Sequence, residues 1–281
     1  MAERLGLHAQ RLADVRALRS PKGRREQGRF AFEGLTLLEE ARASGFPVEA
    51  IYCASTAYDT AGSLRELERE GVAVYLVDER SAAAISDLKT PSGVVVVAQM
   101  PLRSPEELVR GAGLLLVLAD VNDPANAGTL LRSADAFGCA GVIFGRLGVD
   151  PYHPKLVRGS MGAVFRLALG IAEPPQLAEA ASGAGLRLVG LTAAAACLQG
   201  EQLERPVGIV VGNERHGLGR WAALCTSVAA IPMEGRSESL SAAVAGSIAL
   251  YEASRSLARQ GGALHPCQES GAEPKSQDYR C

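Results

Sequence analysis

The sequence contains no uninterrupted apolar run of the length that a membrane span requires. Its opening stretch, MAERLGLHAQRLADVRALRS, is charged throughout and does not fit a secretory signal, so we expect the protein to remain in the cytoplasm. Hydrophobic residues make up 47% of the chain and charged residues 21%, the balance of an ordinary globular protein. A length of 281 residues is comfortable for two domains.

Cysteine patterns that indicate a bound metal or a disulfide framework are also missing. The sequence has no CxxC pair, which argues against a zinc site, and we expect no metal. Scattered cysteines of this kind are typical of small buried side chains, with two exposed thiols in the C-terminal tail. The six are Cys53, Cys139, Cys197, Cys225, Cys267 and Cys281.

The glycine-rich phosphate-binding fingerprints are absent as well. Neither GxGxxG after the first long strand nor GxxxxGK[ST] occurs, which argues against the commonest dinucleotide and P-loop enzymes. No repeat at solenoid spacing is present either. The absence of both fingerprints also argues against an α/β metabolic enzyme that uses a nucleotide cofactor.

The net charge of −2 gives no argument for nucleic acid, but the distribution of charge does. Residues 1–30 hold eight basic and three acidic side chains, a local excess of five positive charges. Arginine forks suit phosphate oxygens. Within SPKGRREQGRF, which we predict to be a loop, Arg24, Arg25 and Arg29 are candidate RNA contacts; a merely solvated basic segment is the alternative.

Two α/β regions are predicted along the chain. Residues 1–98 alternate amphipathic helices with β-branched runs such as VEAIYCA and VAVYLV, which indicates a small α/β domain. Residues 99–113 carry two prolines and form either a linker or a docking helix. Residues 114–261 contain strands apolar on both faces, among them LLLVLAD and VGIVVGN, which predict a parallel sheet covered by helices. Residues 262–281 are predicted to be disordered.

The last predicted helix carries an apolar stripe. Leu240, Val244, Ile248 and Tyr251 follow one another at steps of four and three, which places them on one helix face. Such a face packs against a second subunit or against the core of its own domain, and the sequence leaves both alternatives open.

Three loops that follow strands of the second domain are rich in polar residues and glycine: 120–132, 212–218 and 231–241. Ligands of parallel sheets bind at such loops. In the first loop, Asn126 is a good N-cap for a helix that begins near Ala127. Arg132 would then lie about two turns into that helix. If it has no functional role, it is a surface arginine that pairs locally with Asp135.

The other two loops have similar simple explanations. Gly212 and Gly217 bracket an acidic segment in which glycine lets the backbone approach a ligand closely, although an ordinary turn would also explain them. Ser239 is placed to begin the last helix and would be explained as a cap.

Together, the three loops resemble the SpoU (TrmH-like) family of SPOUT methyltransferases. The resemblance covers residues 114 to about 258, and residues 1–98 look like the substrate-binding domain of ribosomal-protein type that often precedes it. The residues that carry it are Asn126, Gly128 and Arg132; Arg158, Ser160 and Gly162; Gly212, Glu214, Gly217 and Leu218; and Ile231, Pro232, Met233, Gly235, Ser239 and Leu240.

This resemblance implies a C-terminal trefoil knot, a homodimer, and transfer of a methyl group from S-adenosylmethionine to a ribose 2'-oxygen of RNA. The implied cofactor contacts are Gly212, Ile231, Met233 and Leu240. The implied catalytic residues are Asn126, Arg132, Glu214 and Ser239. A guanidinium is a poor base because its pKa exceeds about 12. We therefore expect Arg132 to stabilise the developing alkoxide or grip a phosphate, with the proton passing to Glu214, a phosphate or water.

One position departs from the family pattern, because Ser241 stands where asparagine is usual. Serine offers one hydroxyl in place of an amide and has a shorter reach. The substrate expected from the resemblance is large-subunit ribosomal RNA, in some members with antibiotic resistance as the consequence. The alternatives are transfer RNA, or a non-catalytic RNA-binding or ribosome-assembly protein.

Overall fold

The protein, for which we analysed a computed structural model, is described over residues 3–6, 9–198, 203–236 and 239–259. Its first part is a mixed five-stranded sheet in the order β1-β4-β3-β5-β2, in which β2 and β3 pair antiparallel with β5. The strands are β1 Glu3–Leu5, β2 Arg29–Glu33, β3 Val48–Ala54, β4 Ala73–Val77 and β5 Val94–Gln99. The helices are α1 Gln10–Ala17, α2 Pro21–Gln27, α3 Leu35–Ala43, α4 Ser55–Thr60, α5 Gly62–Arg69 and α6 Glu79–Ile85.

The second part is a parallel seven-stranded sheet in the order β12-β10-β11-β7-β8-β9-β6, as predicted. The strands are β6 Leu102–Arg103, β7 Leu114–Ala119, β8 Gly141–Gly145, β9 Ala168–Ala172, β10 Arg187–Leu191, β11 Val207–Gly212 and β12 Ser227–Ala229. The helices are α7 Pro105–Val109, α8 Pro124–Ala136, α9 Pro154–Gly159, α10 Ala163–Arg166, α11 Pro174–Ala184, a 3-10 helix Gly219–Leu224, and α12 Ala242–Arg259.

The central strand β7 shows why this sheet is buried on both faces. All six of its residues are buried, and alternate side chains point to opposite faces because the side-chain period of a strand is two. Leu114, Leu116 and Leu118 join the larger core, whereas Leu115 and Val117 join a second core beneath the other face. An apolar run without alternation therefore indicates a covered parallel sheet.

The segment 99–113 is part of the second sheet. Its strand β6 pairs in parallel with β9 at the edge, and its helix α7 begins with a capping box between Ser104 and Glu107. The serine accepts a hydrogen bond from the Glu107 amide while the Glu107 carboxylate accepts one from the Ser104 amide. This segment therefore docks as a structured element and does not form a free connection.

The two parts of the molecule share one continuous apolar core. Phe30 of β2 lies 4.4 Å, centroid to centroid, from Tyr152 in the second part. Phe165 of α10 lies 4.9 Å from Phe32 and 5.0 Å from Phe46. Packing of this kind holds the front domain in a defined orientation.

Arg24 is the point at which the sequence-based expectation was wrong. Its side chain is fully buried and donates hydrogen bonds to the Asp150 carboxylate at 2.9 and 3.1 Å and to the carbonyls of Leu18 and Arg19 at 2.9 and 3.1 Å. A buried charge is tolerated because it is paired in this way. Arg24 therefore joins the two domains and is not available to RNA.

The segment around Arg24 is also not a loop. Ser20 caps helix α2 by accepting a hydrogen bond from the Gly23 amide, and Gly28 ends the helix with φ +65°. Arg25 is exposed on this helix, and Arg29 on β2 is half exposed and paired with Glu49 at 2.6 Å. Of the three predicted RNA contacts, Arg25 is the one that stays fully accessible.

Among the described cysteines, Cys53 and Cys139 are buried as expected, Cys225 is half-buried, and Cys197 is exposed, unlike the prediction. Cys267, Cys281 and the predicted disordered tail 262–281 lie outside the described residues. The trefoil knot stays a prediction.

Candidate active site

The carboxyl ends of β10 and β11 open into a cavity of about 420 Å³, which is within the range of small-molecule sites. All three loops singled out from the sequence contribute to its wall. The lining residues are Asn126, Leu191, Thr192, Ala193, Val211, Gly212, Asn213, Glu214, Gly217, Ile231, Met233, Ser239, Leu240, Ser241, Ala242 and Ala245. Of the eight predicted catalytic and cofactor residues, every one except Arg132 lies on this wall.

The loop after β11 folds back tightly on its own strand. Asn213 and Gly217 exchange backbone hydrogen bonds of 2.8 and 2.9 Å, and Gly217 has φ +57°. A Cβ at Gly212 would lie 2.5 Å from the Gly217 oxygen and 2.7 Å from the Leu218 nitrogen. Glycine at 212 is therefore required for this close approach, and it leaves the cavity wall without a side chain at that point.

Glu214 ties this loop to the first one. Its carboxylate accepts hydrogen bonds from the Asn126 amide group at 2.9 Å and from the backbone amides of Asn122 at 3.2 Å and Asp123 at 3.3 Å. Partial burial acts to raise the pKa of Glu214, but these hydrogen bonds outweigh it and hold the pKa below its ordinary value. An ionised carboxylate is also favoured at this position because it faces the amino terminus of α8.

The helix-cap interpretation of Asn126 is wrong. Helix α8 begins at Pro124, and its cap is Asp123, whose carboxylate accepts a hydrogen bond from the Ala125 amide at 2.8 Å. The side chain of Asn126 is thus free of capping and binds Glu214 instead. The sequence could not show this, because Asn126 and Glu214 are 88 residues apart.

Arg132 is exposed on α8, outside the cavity wall. Within the described part of the chain it makes no hydrogen bond or ion pair, and the local pair with Asp135 is wrong. Asp135 instead accepts from Arg166 at 2.8 and 2.9 Å. The guanidinium of Arg132 is therefore available to a substrate.

The third loop brings Ile231, Met233, Ser239 and Leu240 to the cavity. Helix α12 begins after this loop at Ala242, and the Ser241 hydroxyl accepts a hydrogen bond from the Val244 amide at 3.3 Å. Ser241, and not Ser239, is thus the cap of the last helix. Serine and asparagine are comparable N-caps, so the departure from the family pattern preserves the local structure.

Several site residues were missed in the sequence. Leu191, Thr192 and Ala193 line the cavity because β10 is the neighbour of β11 and its carboxyl end lies at the same edge. The signal that would have found them is LRLVGLT, a buried strand whose following loop was not included among the candidates.

Asp120 is a second missed residue, and it supports the site from behind. It sits at the end of β7 with φ +55°, and its carboxylate accepts from the Trp221 indole at 2.8 Å and the Arg220 guanidinium at 2.9 Å. Burial acts to raise its pKa, but Arg220 and Trp221 lower it overall. Its carbonyl accepts from the Asn213 side chain at 2.8 Å, so Asp120 links the first two loops.

The Arg158, Ser160 and Gly162 motif does not line the cavity. The Arg158 guanidinium binds the Asp87 carboxylate of the front domain at 2.7 Å. Ser160 is fully buried and donates to the Val157 carbonyl at 2.7 Å. This motif therefore organises the junction between the two domains.

No cluster of three or more histidine, cysteine or acidic side chains in the described ranges could bind a metal ion. No helix in those ranges is long and apolar enough to cross a bilayer.

A parallel sheet with a glycine-walled small-molecule cavity at its strand ends defines a cofactor-dependent α/β enzyme. Residues 113–251 match the SpoU rRNA Methylase family, and residues 10–96 match the MRM3-like substrate binding domain. The chain belongs to the SpoU family of RNA methyltransferases.

Known RNA methyltransferases are similar to this chain over most of its length and most of their own. The 23S rRNA (guanosine(2553)-2'-O)-methyltransferase RlmP of Bacillus subtilis is 30% identical over 86% of this chain and 95% of its own. A 23S rRNA (uridine(2479)-2'-O)-methyltransferase of Streptomyces viridochromogenes is 31% identical over 90% of this chain and 92% of its own. The AdoMet-bound rRNA methyltransferase of Sinorhizobium meliloti superposes with a TM-score of 0.80, at 28% identity, over 91% of this chain and 98% of its own.

Proposed function

We propose that the protein methylates a ribose 2'-oxygen of large-subunit ribosomal RNA with S-adenosylmethionine as the methyl donor. The observation that carries the proposal is the convergence of Asn126, Glu214 and the third loop on one cavity, together with an exposed Arg132 that has no ion pair among the described residues. The names of the Bacillus and Streptomyces relatives support 23S rRNA as the substrate. A cytoplasmic location, where ribosomal RNA would be available, is part of this proposal.

The cavity fits S-adenosylmethionine in size and chemistry. Its wall combines apolar side chains, including Leu191, Ile231 and Leu240, with the exposed backbone around Gly212. Apolar faces suit the adenine, and backbone N–H and C=O groups give it orientation. When bound, the cofactor supplies a methyl group on a positively charged sulfur. Met233 and Leu240 would cover it from the third loop.

The proposed role of Glu214 is to hold loops in position. Its carboxylate already accepts three hydrogen bonds, and its low pKa makes it a weak proton acceptor at neutral pH. It fixes the amino-terminal turn of α8, and through that helix it fixes Arg132. The proton of the ribose hydroxyl then passes to a substrate phosphate or water.

Arg132 is proposed to bind the substrate. A guanidinium with no protein carboxylate is able to grip a phosphate in a bidentate manner or stabilise a developing alkoxide. Ser239 lines the cofactor cavity from the third loop. Alignment of substrate and methyl donor supplies several kcal/mol in reactions of this kind.

We also propose a homodimer that uses the outer face of α12. Val244 and Tyr251 are 46% and 45% exposed, whereas Ala249, Leu250 and Ala253 form the buried face. The predicted stripe therefore points outward at these two positions, and the core-facing alternative is wrong for them. A mass near 29.3 kDa in light scattering across micromolar concentrations would contradict the dimer.

The front domain is proposed to bind RNA through Arg25 and its exposed neighbours on α1 and α2, with Arg24 excluded. Phosphate contacts of this kind weaken steeply with salt and carry little sequence information. Target choice would then come from the shape of folded RNA.

Transfer of labelled methyl groups to deproteinised large-subunit rRNA, with transfer RNA as the comparison, tests the proposal. Mapping ribose methylation in cells with and without the gene identifies the nucleotide. Labelling of transfer RNA alone would refute the ribosomal substrate, and labelling of neither would favour a non-catalytic role. Drug sensitivity of the same two strains tests antibiotic resistance.

A further inference from the structure

Met161 is exposed and held in a backbone conformation that methionine rarely adopts. Its side chain is 57% exposed, and its φ is +48°, in the left-handed region that favours glycine. Within the described ranges, Asp120 is the other non-glycine residue with positive φ. Strained positions of this kind persist only where the surrounding structure holds them, and they cluster at functional sites.

The residues on either side explain why the strain is maintained. Ser160 is buried and anchored to the Val157 carbonyl, and Gly162 follows with φ +90°. A Cβ at Gly162 would lie 2.6 Å from the Glu40 carboxylate of the front domain, so the chain cannot turn inward there. The turn between α9 and α10 therefore has no freedom, and it presents the side chain of Met161 to solvent.

The same turn is fastened at both ends to neighbouring elements. Arg158 binds Asp87, and Arg166 binds Glu40 at 2.5 Å as well as Asp135. These contacts join the turn to the front domain on one side and to α8 on the other.

The contacts of α8 with α9 and α10 place the turn that holds Met161 against the face of α8 that carries Arg132. Gly128, Arg132 and Asp135 share that face because they are spaced by four and three residues. A Cβ at Gly128 would lie 3.1 Å from the Gly159 Cα, so α8 and α9 are in close contact at that point. Closer to the carboxyl end of α8, Asp135 accepts a hydrogen bond from Arg166 of α10. Along the chain, Arg132 lies between Gly128 and Asp135 on α8. Met161 lies between Gly159 and Arg166, the residues that these two contact. Both side chains are exposed at the junction of the two domains.

The charges around Met161 favour a phosphate-bearing ligand. Lys155 on α9 and Arg132 on α8 are exposed, and neither has an ion pair within the part of the chain that the structure describes. An apolar side chain near an available arginine matches an unstacked nucleotide, whose base is apolar on its face and whose phosphates are negative.

We propose that Met161 is a substrate-positioning residue, which packs against an unstacked base of the RNA next to the ribose that Arg132 addresses. The inference rests on the proposed RNA methyltransferase function. The unbranched, polarizable thioether adapts to a base surface, and the strained turn keeps it from folding back onto the protein.

Peroxide footprinting tests this contact directly, because hydrogen peroxide converts accessible methionine to the sulfoxide. The chain has four methionines, and among the described ones Met161 is the most exposed, Met233 lines the cofactor cavity, and Met100 serves as an internal reference. Large-subunit rRNA from cells that lack the gene should slow oxidation of Met161. S-adenosylhomocysteine should slow oxidation of Met233 and leave Met161 unchanged.

Three variants separate contact with RNA from a role in folding. Met161→Gly and Met161→Asn suit left-handed backbone and remove the apolar group, so both should unfold at an unchanged or higher temperature. Both should lower kcat/KM for rRNA about tenfold, which corresponds to about 1.4 kcal/mol. Met161→Leu should retain activity within about threefold. Leu102→Ala, at an exposed apolar residue on the edge strand β6, is the matched control and should change nothing.

Three outcomes would overturn the inference. Unchanged Met161 oxidation while rRNA is retained in a gel shift shows that RNA binds elsewhere. Protection that grows with protein concentration in the absence of RNA shows that a second copy of the chain covers Met161. If rRNA is not bound at all while S-adenosylhomocysteine still protects Met233, the proposed substrate itself is wrong.

Discussion

Replacement of Gly212 by alanine should damage the cofactor site while leaving the fold intact. The added Cβ would lie 2.5 Å from the Gly217 oxygen and 2.7 Å from the Leu218 nitrogen, and both atoms belong to the backbone. Ordinary contacts at such atoms are near 3.4 Å, so the loop must move by most of an ångström. Overpacking of this kind costs about 1–3 kcal/mol.

Because the displaced loop is a wall of the cavity, this cost should appear mainly in cofactor binding. A loss of about 1–3 kcal/mol corresponds to weakening by roughly 5- to 150-fold. Calorimetric titration with S-adenosylhomocysteine measures the change, and urea unfolding reports on the fold.

The matched control is Gly183→Ala. Gly183 lies in helix α11, and a Cβ there would meet nothing within 4 Å. This change should stabilise the protein slightly, by about 0.5–1 kcal/mol, without an effect on the cofactor. Unaltered affinity in Gly212→Ala would refute the reasoning, because it would mean that the loop does not need its close contact to form the site.

Four further substitutions test other parts of the structure. Arg132→Ala should abolish methyl transfer with little change in cofactor affinity, and activity within a few-fold of the wild type would sink its assignment. Arg24→Met leaves the Asp150 carboxylate, 14% exposed, without its partner and should destabilise the protein by about 3 kcal/mol in urea unfolding. Arg29→Met, at a half-exposed pair, should cost less than about 1 kcal/mol, and equal losses would contradict this account. Since the pKa of Glu214 is lowered in the folded protein, its contribution to stability is present above its ordinary value of 4.5 and is lost as the pH falls below it. Glu214→Gln should therefore flatten the acid limb of a stability-against-pH curve, and an unchanged limb would show that its hydrogen bonds do not matter.

The outward face of α12 illustrates how far a local pattern can be followed. The steps of four and three correctly placed Val244, Ile248 and Tyr251 on one face of α12, since periodicity is a property of the local backbone. Leu240, however, precedes this helix and lines the cavity. Which face meets the core depends on neighbours that are distant in sequence. Gly246 packs against Val211, so the small-residue face is buried and Val244 and Tyr251 are left outside.

Sequence patterns were enough to predict the parallel sheet and the three strand-end loops that contribute to the cavity wall, although the loop after β10 was missed. These follow from runs of apolar residues and from the rule that parallel strands end at one edge, which are read within a few residues of chain. Seven of the eight candidate residues on 126–240 meet at the cavity for that reason.

Only the tertiary structure decided what each polar side chain does. Arg24 binds Asp150 across 126 residues, Asn126 binds Glu214 across 88, and Arg158 binds Asp87 across 71. Arg24 and Asn126 each had a local interpretation, as a loop cation and as a helix cap, and neither interpretation holds in the structure. Burial raises the cost of an unpaired charge, so the partner that the fold brings within 3 Å, and not the local pattern, sets the role.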